Sequence, residues 1–144
     1  MGTSSRIGVM HGDTIKSVYV HWDGSPDTNG RILQEHYNSS KANHLVALGN
    51  INSLGTMIGE KHDFDKSYPI GSPESTWTKF YGRDRGEDEQ EYEANSTFVE
   101  FLDNCNQSGA EYYYVMKDGV WYVGDTYENS TLSNKLVLLT DVLN

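Results

Sequence analysis

The sequence predicts an α+β fold: an antiparallel sheet built from two hairpins plus a central strand, with helices packed on one face. Three observations predict it. Residues 5–21 alternate in strand fashion around Gly12-Asp13, and residues 111–123 do so around Asp118-Gly119, a type I′ turn pair. Between and after these hairpins lie segments with apolar residues at helical spacing. Hairpins joined by helices favour an antiparallel sheet with its helices segregated to one side.

The elements follow in order. Ser5 to His11 forms the first strand and Thr14 to His21 its return. On the return strand Ile15, Ser17, Tyr19 and His21 share one face, and Thr14, Lys16, Val18 and Val20 the other. Trp22 to Gly30 is dense in Gly, Pro, Asp and Asn and reads as a loop. Ile32, Leu33, His36 and Tyr37 predict a helix over 31–37, and Leu45, Val46 and Leu48 a second over 41–48, with Ser40 as N-cap and Gly49 as terminator. Residues 50–59 are expected to be irregular, with Ile51, Leu54 and Met57 turned inward. The polar stretch 61–75 carries two of the three prolines and is expected to be a mobile excursion. The aromatic run 76–81 predicts the central strand, and 82–93 a charged loop. Thr97 and Glu100 form a capping box that opens a helix to about Asn106, stopped by Gly109. The tail places Leu132, Leu136, Leu139 and Leu143 on one helical face. The predicted order is β-β-α-α-β-α-β-β-α.

A length of 144 residues suits one domain, spanning 1–144. Ten tyrosines against four phenylalanines indicate surfaces that are half buried and half wet. No apolar run nears the roughly 20 residues that cross a bilayer, so no membrane association is expected. No apolar stretch follows Arg6, and Arg6 itself breaks the myristoylation pattern, so a cytoplasmic location is expected. Cys105, the single cysteine, rules out an internal disulfide; in its helical context it reads as an inert buried thiol. A net charge of −10 argues against direct nucleic-acid binding, which needs a basic footprint.

Two motifs about sixty residues apart combine aromatic, charged and glycine residues: His21-Trp22-Asp23-Gly24 and Tyr81-Gly82-Arg83-Asp84-Arg85-Gly86-Glu87. In the first, His21 and Asp23 have the chemistry to read base edges or ribose hydroxyls, and Trp22 to stack on a base. The competing interpretation makes Asp23-Gly24 a turn and Trp22 core. In the second, Arg83 and Arg85 flank Asp84 and need an anion between them, either an internal carboxylate or a bound phosphate. Tyr81 would stack beside them. Tyr113 and Trp121, in the second hairpin, are candidates for a stacking platform. The acidic run Asp84, Glu87, Asp88, Glu89, Glu91 and Glu93 is a solvated loop or, in a sharper reading, a partner-binding surface that mimics DNA. The five histidines show no metal-ligand spacing, and no nucleophile elbow, P-loop or dinucleotide fingerprint is present. Neither catalytic residues nor a metal or other cofactor are therefore expected; an acid-based metal hydrolase around Asp84 is the weakest alternative.

Together with Arg6-Ile7-Gly8-Val9-Met10, Asn29-Gly30-Arg31-Ile32-Leu33, Leu45-Val46-Ala47-Leu48-Gly49 and Ala110-Glu111-Tyr112-Tyr113-Tyr114-Val115, these motifs resemble a family of small accessory proteins of tailed bacteriophages. The resemblance thins over 61–75, and Ser25-Pro26 departs from the bulky residue that often follows the His-Trp-Asp-Gly run. It implies an anti-defence binding protein of the host bacterial cytoplasm. The expectation is sequestration of a small anionic, nucleotide-derived ligand by His21, Trp22, Asp23, Tyr81, Arg83, Asp84, Arg85, Tyr113 and Trp121. A homo-oligomer with shared sites fits that role. The alternative is an acidic inhibitor of a host protein, acting through Glu87, Asp88, Glu89 and Glu91.

Overall fold

The computed structural model describes residues 2–144. Its strands are β1 (Ser5–His11), β2 (Thr14–Val20), β3 (Ile51–Ser53), β4 (Lys79–Phe80), β5 (Glu93–Asn95), β6 (Tyr112–Lys117), β7 (Val120–Asp125) and β8 (Val137–Leu138). Its helices are α1 (Arg31–His36), α2 (Ser39–Ala47), α3 (Tyr81–Arg85), α4 (Phe98–Ser108) and α5 (Leu139–Leu143). The class is α+β.

Both predicted hairpins form. β1 pairs with β2 from Ser5↔Val20 to His11↔Thr14, and β6 with β7 around Asp118-Gly119, whose φ angles of 51° and 80° suit the type I′ turn. The sheet that joins them is mixed, however, not antiparallel throughout. Its order is β4-β3-β2-β1-β6-β7-β8, with β1 parallel to β6 and β2 parallel to β3 at Val20↔Ile51; β5 pairs with β2 further along. The two hairpins thus meet through a parallel seam that no local pattern announces.

The seam also corrects the placement of the helices. Ile7, Val9, Val18, Val20, Tyr114, Met116, Trp121 and Val123 line one face and pack with Leu33 of α1, Ala42, Leu45 and Val46 of α2, and Leu139 of α5. Ile15, Tyr113 and Val115 line the opposite face and pack with Phe101 and Cys105 of α4. The strands at the centre are apolar on both faces, so both faces need cover, and α4 provides the second layer.

Capping chemistry sets the helix ends. Thr97 accepts a hydrogen bond from the Glu100 amide, and Gly109 at φ 75° ends α4. The cap of α2 is Asn38, which accepts from the Lys41 amide; the expected Ser40 is already inside the helix. Residues 51–53 form a strand where irregular chain was expected; Ile58 is buried there while Met57 is exposed. The run 76–81 supplies only two strand residues before α3 begins. The leucine-rich tail is also corrected: only 139–143 is helical. Val137 and Val123 pair, as do Leu138 and Tyr122, because β7 offers an open edge. Just before them, the Lys135 carbonyl lies so close to Gly124 that a Cβ there would collide with it.

Burial pushes the Cys105 thiol up to about 12 from 9.0, and the Tyr37 hydroxyl up to about 12 from 10.0. Both groups are neutral in the fold and ionise earlier in the unfolded chain. Their stabilisation is therefore complete below the unfolded values and is lost as pH rises toward the folded ones. Denaturant midpoints are expected to fall progressively from about pH 9 to about pH 12. In Cys105→Ala the decline should begin nearer pH 10. Unchanged slopes between pH 9 and 10 in that variant would refute the assignment to Cys105.

Candidate functional site

The Tyr81–Glu87 motif folds into α3 and its C-terminal turn, and its central ion pair is internal. The Asp84 carboxylate is sealed from solvent and accepts from the Phe80 amide (2.8 Å) and the His62 amide (3.2 Å). It also accepts from Arg83 Nε (2.9 Å) and Nη2 (3.1 Å). Arg83 spends its remaining fork on the carbonyls of Gly59 (3.0 Å) and Thr78 (2.9 Å), with its guanidinium 4.5 Å from the Phe80 ring centre. Arg83 and Asp84 therefore clamp the segment around His62 and the chain entering β4 onto α3. Both Asp84 oxygens and all three Arg83 nitrogens are engaged within the protein, which corrects their assignment to a phosphate site. Arg85 lies over the Phe64 and Tyr81 rings and pairs with Glu87. The Tyr81 hydroxyl accepts from Asn52 of β3 (3.1 Å).

The His21–Gly24 motif leaves the end of β2 on the far side of β3 from Tyr81. The His21 and Trp22 amides donate to Ile51 and Asn52 carbonyls, while the Tyr81 amide donates to the Asn50 carbonyl. One strand thus separates the two motifs. Trp22 is 41% exposed, edge-on to the His21 ring at 4.5 Å. Asp23 takes a left-handed φ of 58°, and its carbonyl accepts from the Asn29 amide. Gly24 is buried; a Cβ there would lie 2.9 Å from the Thr3 and Ser4 carbonyls, and its own carbonyl accepts from the Tyr114 hydroxyl (2.6 Å).

Tyr113 and Trp121 are core residues on opposite faces of the sheet, which corrects the stacking platform. Tyr113 is fully buried against Phe101 and donates to the Lys135 carbonyl; Trp121 is 3% exposed and donates to the Tyr37 carbonyl (2.9 Å). In the acidic run, Asp88, Glu89 and Glu91 are exposed, while Glu87 is half-buried with Arg85. Among the described residues, no three His, Cys, Asp or Glu side chains gather as metal ligands. Among the described residues, too, no helix is long and apolar enough to cross a membrane.

The group that stands out chemically is Arg6, which sequence reasoning treated only as part of a motif. It lies on β1 opposite Tyr19 and is 3% exposed. Its Nε donates to the Ser17 hydroxyl (2.9 Å) and its Nη2 to the Ser17 carbonyl (3.0 Å), with Glu93 at 3.4 Å. Its Nη1 has no protein acceptor among the described residues, nor is it among the sealed, unpaired side-chain atoms, so it opens to the adjacent cleft. That cleft, about 380 Å³, lies between β2, β5 and α4 and is otherwise lined by Tyr19, Asn50, Glu93, Asn104, Gln107 and Ser108. Burial lowers the Arg6 pKa, and Glu93 opposes that shift. The Tyr19 hydroxyl lies 3.3 Å from His21 Nδ1, which brings one residue of the first motif to the cleft's rim. The available signal was an arginine beside the apolar Ile7 and Val9 in a strand whose other residues include only Ser5 and His11 as polar side chains.

No protein-family model, curated protein or solved structure matches this chain.

Two outcomes follow from this geometry. Asp84→Ala leaves Arg83 without its carboxylate and should cost about 3–5 kcal/mol in denaturant unfolding; a loss near zero would return both residues to the ligand site. Gly24→Ala should cost about 1–3 kcal/mol, since its new methyl meets backbone rather than a movable side chain. An unchanged melting temperature would show that the Thr3–Gly24 contact is slack.

Proposed function

We propose that the chain is a non-catalytic binding protein that sequesters a small anionic, nucleotide-type ligand, with the anion held by Arg6. The observation that carries this reading is the open Nη1 of a guanidinium buried at the floor of a polar cleft. Buried charged donors are almost always paired, and a charge-assisted bond contributes about 1.5–3 kcal/mol. A phosphate or carboxylate oxygen would complete the Arg6 fork.

The rest of the cleft suits a nucleotide. The carboxamides of Asn104 and Gln107 and the hydroxyl of Tyr19 both donate and accept, as base edges and ribose hydroxyls require. The cleft volume falls in the roughly 300–1,000 Å³ range of small-molecule sites. Glu93 is 60% exposed, so solvent screens its side of the 3.4 Å pair with Arg6, and a better-placed anion can compete for the guanidinium. The resemblance to phage accessory proteins supports sequestration in a host bacterial cytoplasm as the biological setting. The exposed acids Asp88, Glu89 and Glu91 favour a second reading, inhibition of a basic host protein.

The test is thermal unfolding against inorganic phosphate and a panel of linear nucleotides, cyclic nucleotides and ADP-ribose. A ligand at a hundred times its Kd should add about 2.7 kcal/mol. Glu93→Gln should lower the concentration needed, and Arg6→Lys, which keeps the charge but loses the fork, should raise it at least about tenfold. No stabilisation across the panel, or a shift indifferent to both variants, would defeat the reading. Loss of host-protein capture on reversing Asp88, Glu89 and Glu91 would establish the second one.

A further inference from the structure

On the opposite side of the sheet, the loop after Trp22 and the first face of α1 enclose a separate cleft of about 350 Å³. Ile32 and Leu54 line it, both partly buried against the main core. Asp23, Asp27 and Glu35 also line it, against a single guanidinium, Arg31, which lies 3.5 Å from Asp27. The carboxylates of Asp23 and Glu35 have no protein donor or cation among the described residues, and the site keeps an excess of negative charge.

A second observation, independent of the acids, comes from Asn29. It is 1% exposed, yet it lines this cleft. Its Nδ2 donates to the Trp22 carbonyl (2.9 Å), which fixes the amide and leaves Oδ1 as the outward atom. Among the described residues nothing donates to Oδ1, and it is not one of the sealed, unpaired atoms. A buried carbonyl-type acceptor therefore opens into a cleft with an apolar wall and an acidic rim. Buried polar groups require a partner, and here the missing partner is a donor.

We infer that this cleft binds an aliphatic cation, an ammonium or guanidinium on a methylene stem, with the stem on Ile32 and Leu54 and the charge between Asn29 Oδ1 and the Asp23 and Glu35 carboxylates. Amphipathic cations bury their stems and keep their heads among acceptors, which is the arrangement offered. The chemistry is shared by free polyamines and by lysine side chains. The site is distinct from the Arg6 cleft, so either can fail alone.

The test is an amide NMR titration of the full chain with n-butylamine and, as the isosteric neutral control, n-butanol. Butylamine should give saturable shifts confined to residues 23–36 and 54, with a Kd below about 1 mM. Butanol should not saturate, and the Arg6 region should not move. Asp23→Asn combined with Glu35→Gln should weaken butylamine at least about tenfold, the loss of one to two ionic partners. Asparagine tolerates the left-handed backbone at position 23, so this variant keeps the fold. Spermidine binding more tightly than Nα-acetyl-lysine amide identifies a free polyamine as the source; the reverse order identifies a lysine side chain. The inference is overturned by equal responses to butylamine and butanol, by shifts scattered over all surface acids, by no saturation, or by an unchanged Kd in the double variant.

Discussion

The rest of this structure depends on the burial of β1 on both faces. The strand carries Ile7 and Val9 into one core, while its other side lies under the layer that α4 provides. Pairing with β2 on one edge and β6 on the other satisfies its backbone. Such a strand has no wet side on which to place a charge, yet position 6 is an arginine. The fold accommodates it by giving two guanidinium nitrogens to Ser17, placing Glu93 nearby, and leaving a cleft over the third. The candidate site is thus a consequence of the layering, because a single-sided sheet would have left Arg6 in water.

The second structural anchor is the Asp84 carboxylate, which gathers two backbone amides and one arginine from two stretches of chain, around His62 and over 80–83. Its neighbour His62 is wedged between the rings of Tyr68 and Trp77, with Nδ1 2.7 Å from the Glu60 carbonyl and Nε2 sealed without a partner. A cluster of this kind holds an irregular excursion where no regular hydrogen-bond ladder exists. Its residues look like ligand-binding chemistry in sequence because the same properties, charge pairing and planar forks, serve internal and external anions alike. Hydrogen-bond occupancy distinguishes the two uses: a carboxylate sealed from solvent with both oxygens occupied is architecture.

By contrast, Arg6 and Asn29 share a different signature. Each is at least nine-tenths buried, each is partly hydrogen-bonded, and each keeps one polar atom open to a cleft. One offers donors and the other an acceptor, so the two faces of the sheet present opposite polarity. A net charge of −10 makes the Arg6 pocket a local exception in an acidic molecule. Its selectivity must come from short-range bonds rather than long-range attraction.

Taken by itself, the sequence determined what is local: both hairpins, the type I′ turn at Asp118-Gly119, the Thr97 cap and Gly109 stop of α4, and the α+β class. These rest on turn chemistry, alternation and capping, which act over a few residues. Only the tertiary structure decided the parallel seam of β1 with β6, the second helical layer, the strand made from the middle of the leucine-rich tail, and the separation of the two motifs by β3. It likewise decided that Tyr113 and Trp121 are core, that Arg83 is engaged internally, and that Arg6 is a buried arginine with a donor to spare. The physical reason is that pairing and burial join residues a hundred positions apart, and a side chain's free hydrogen-bonding capacity exists only once its neighbours are in place.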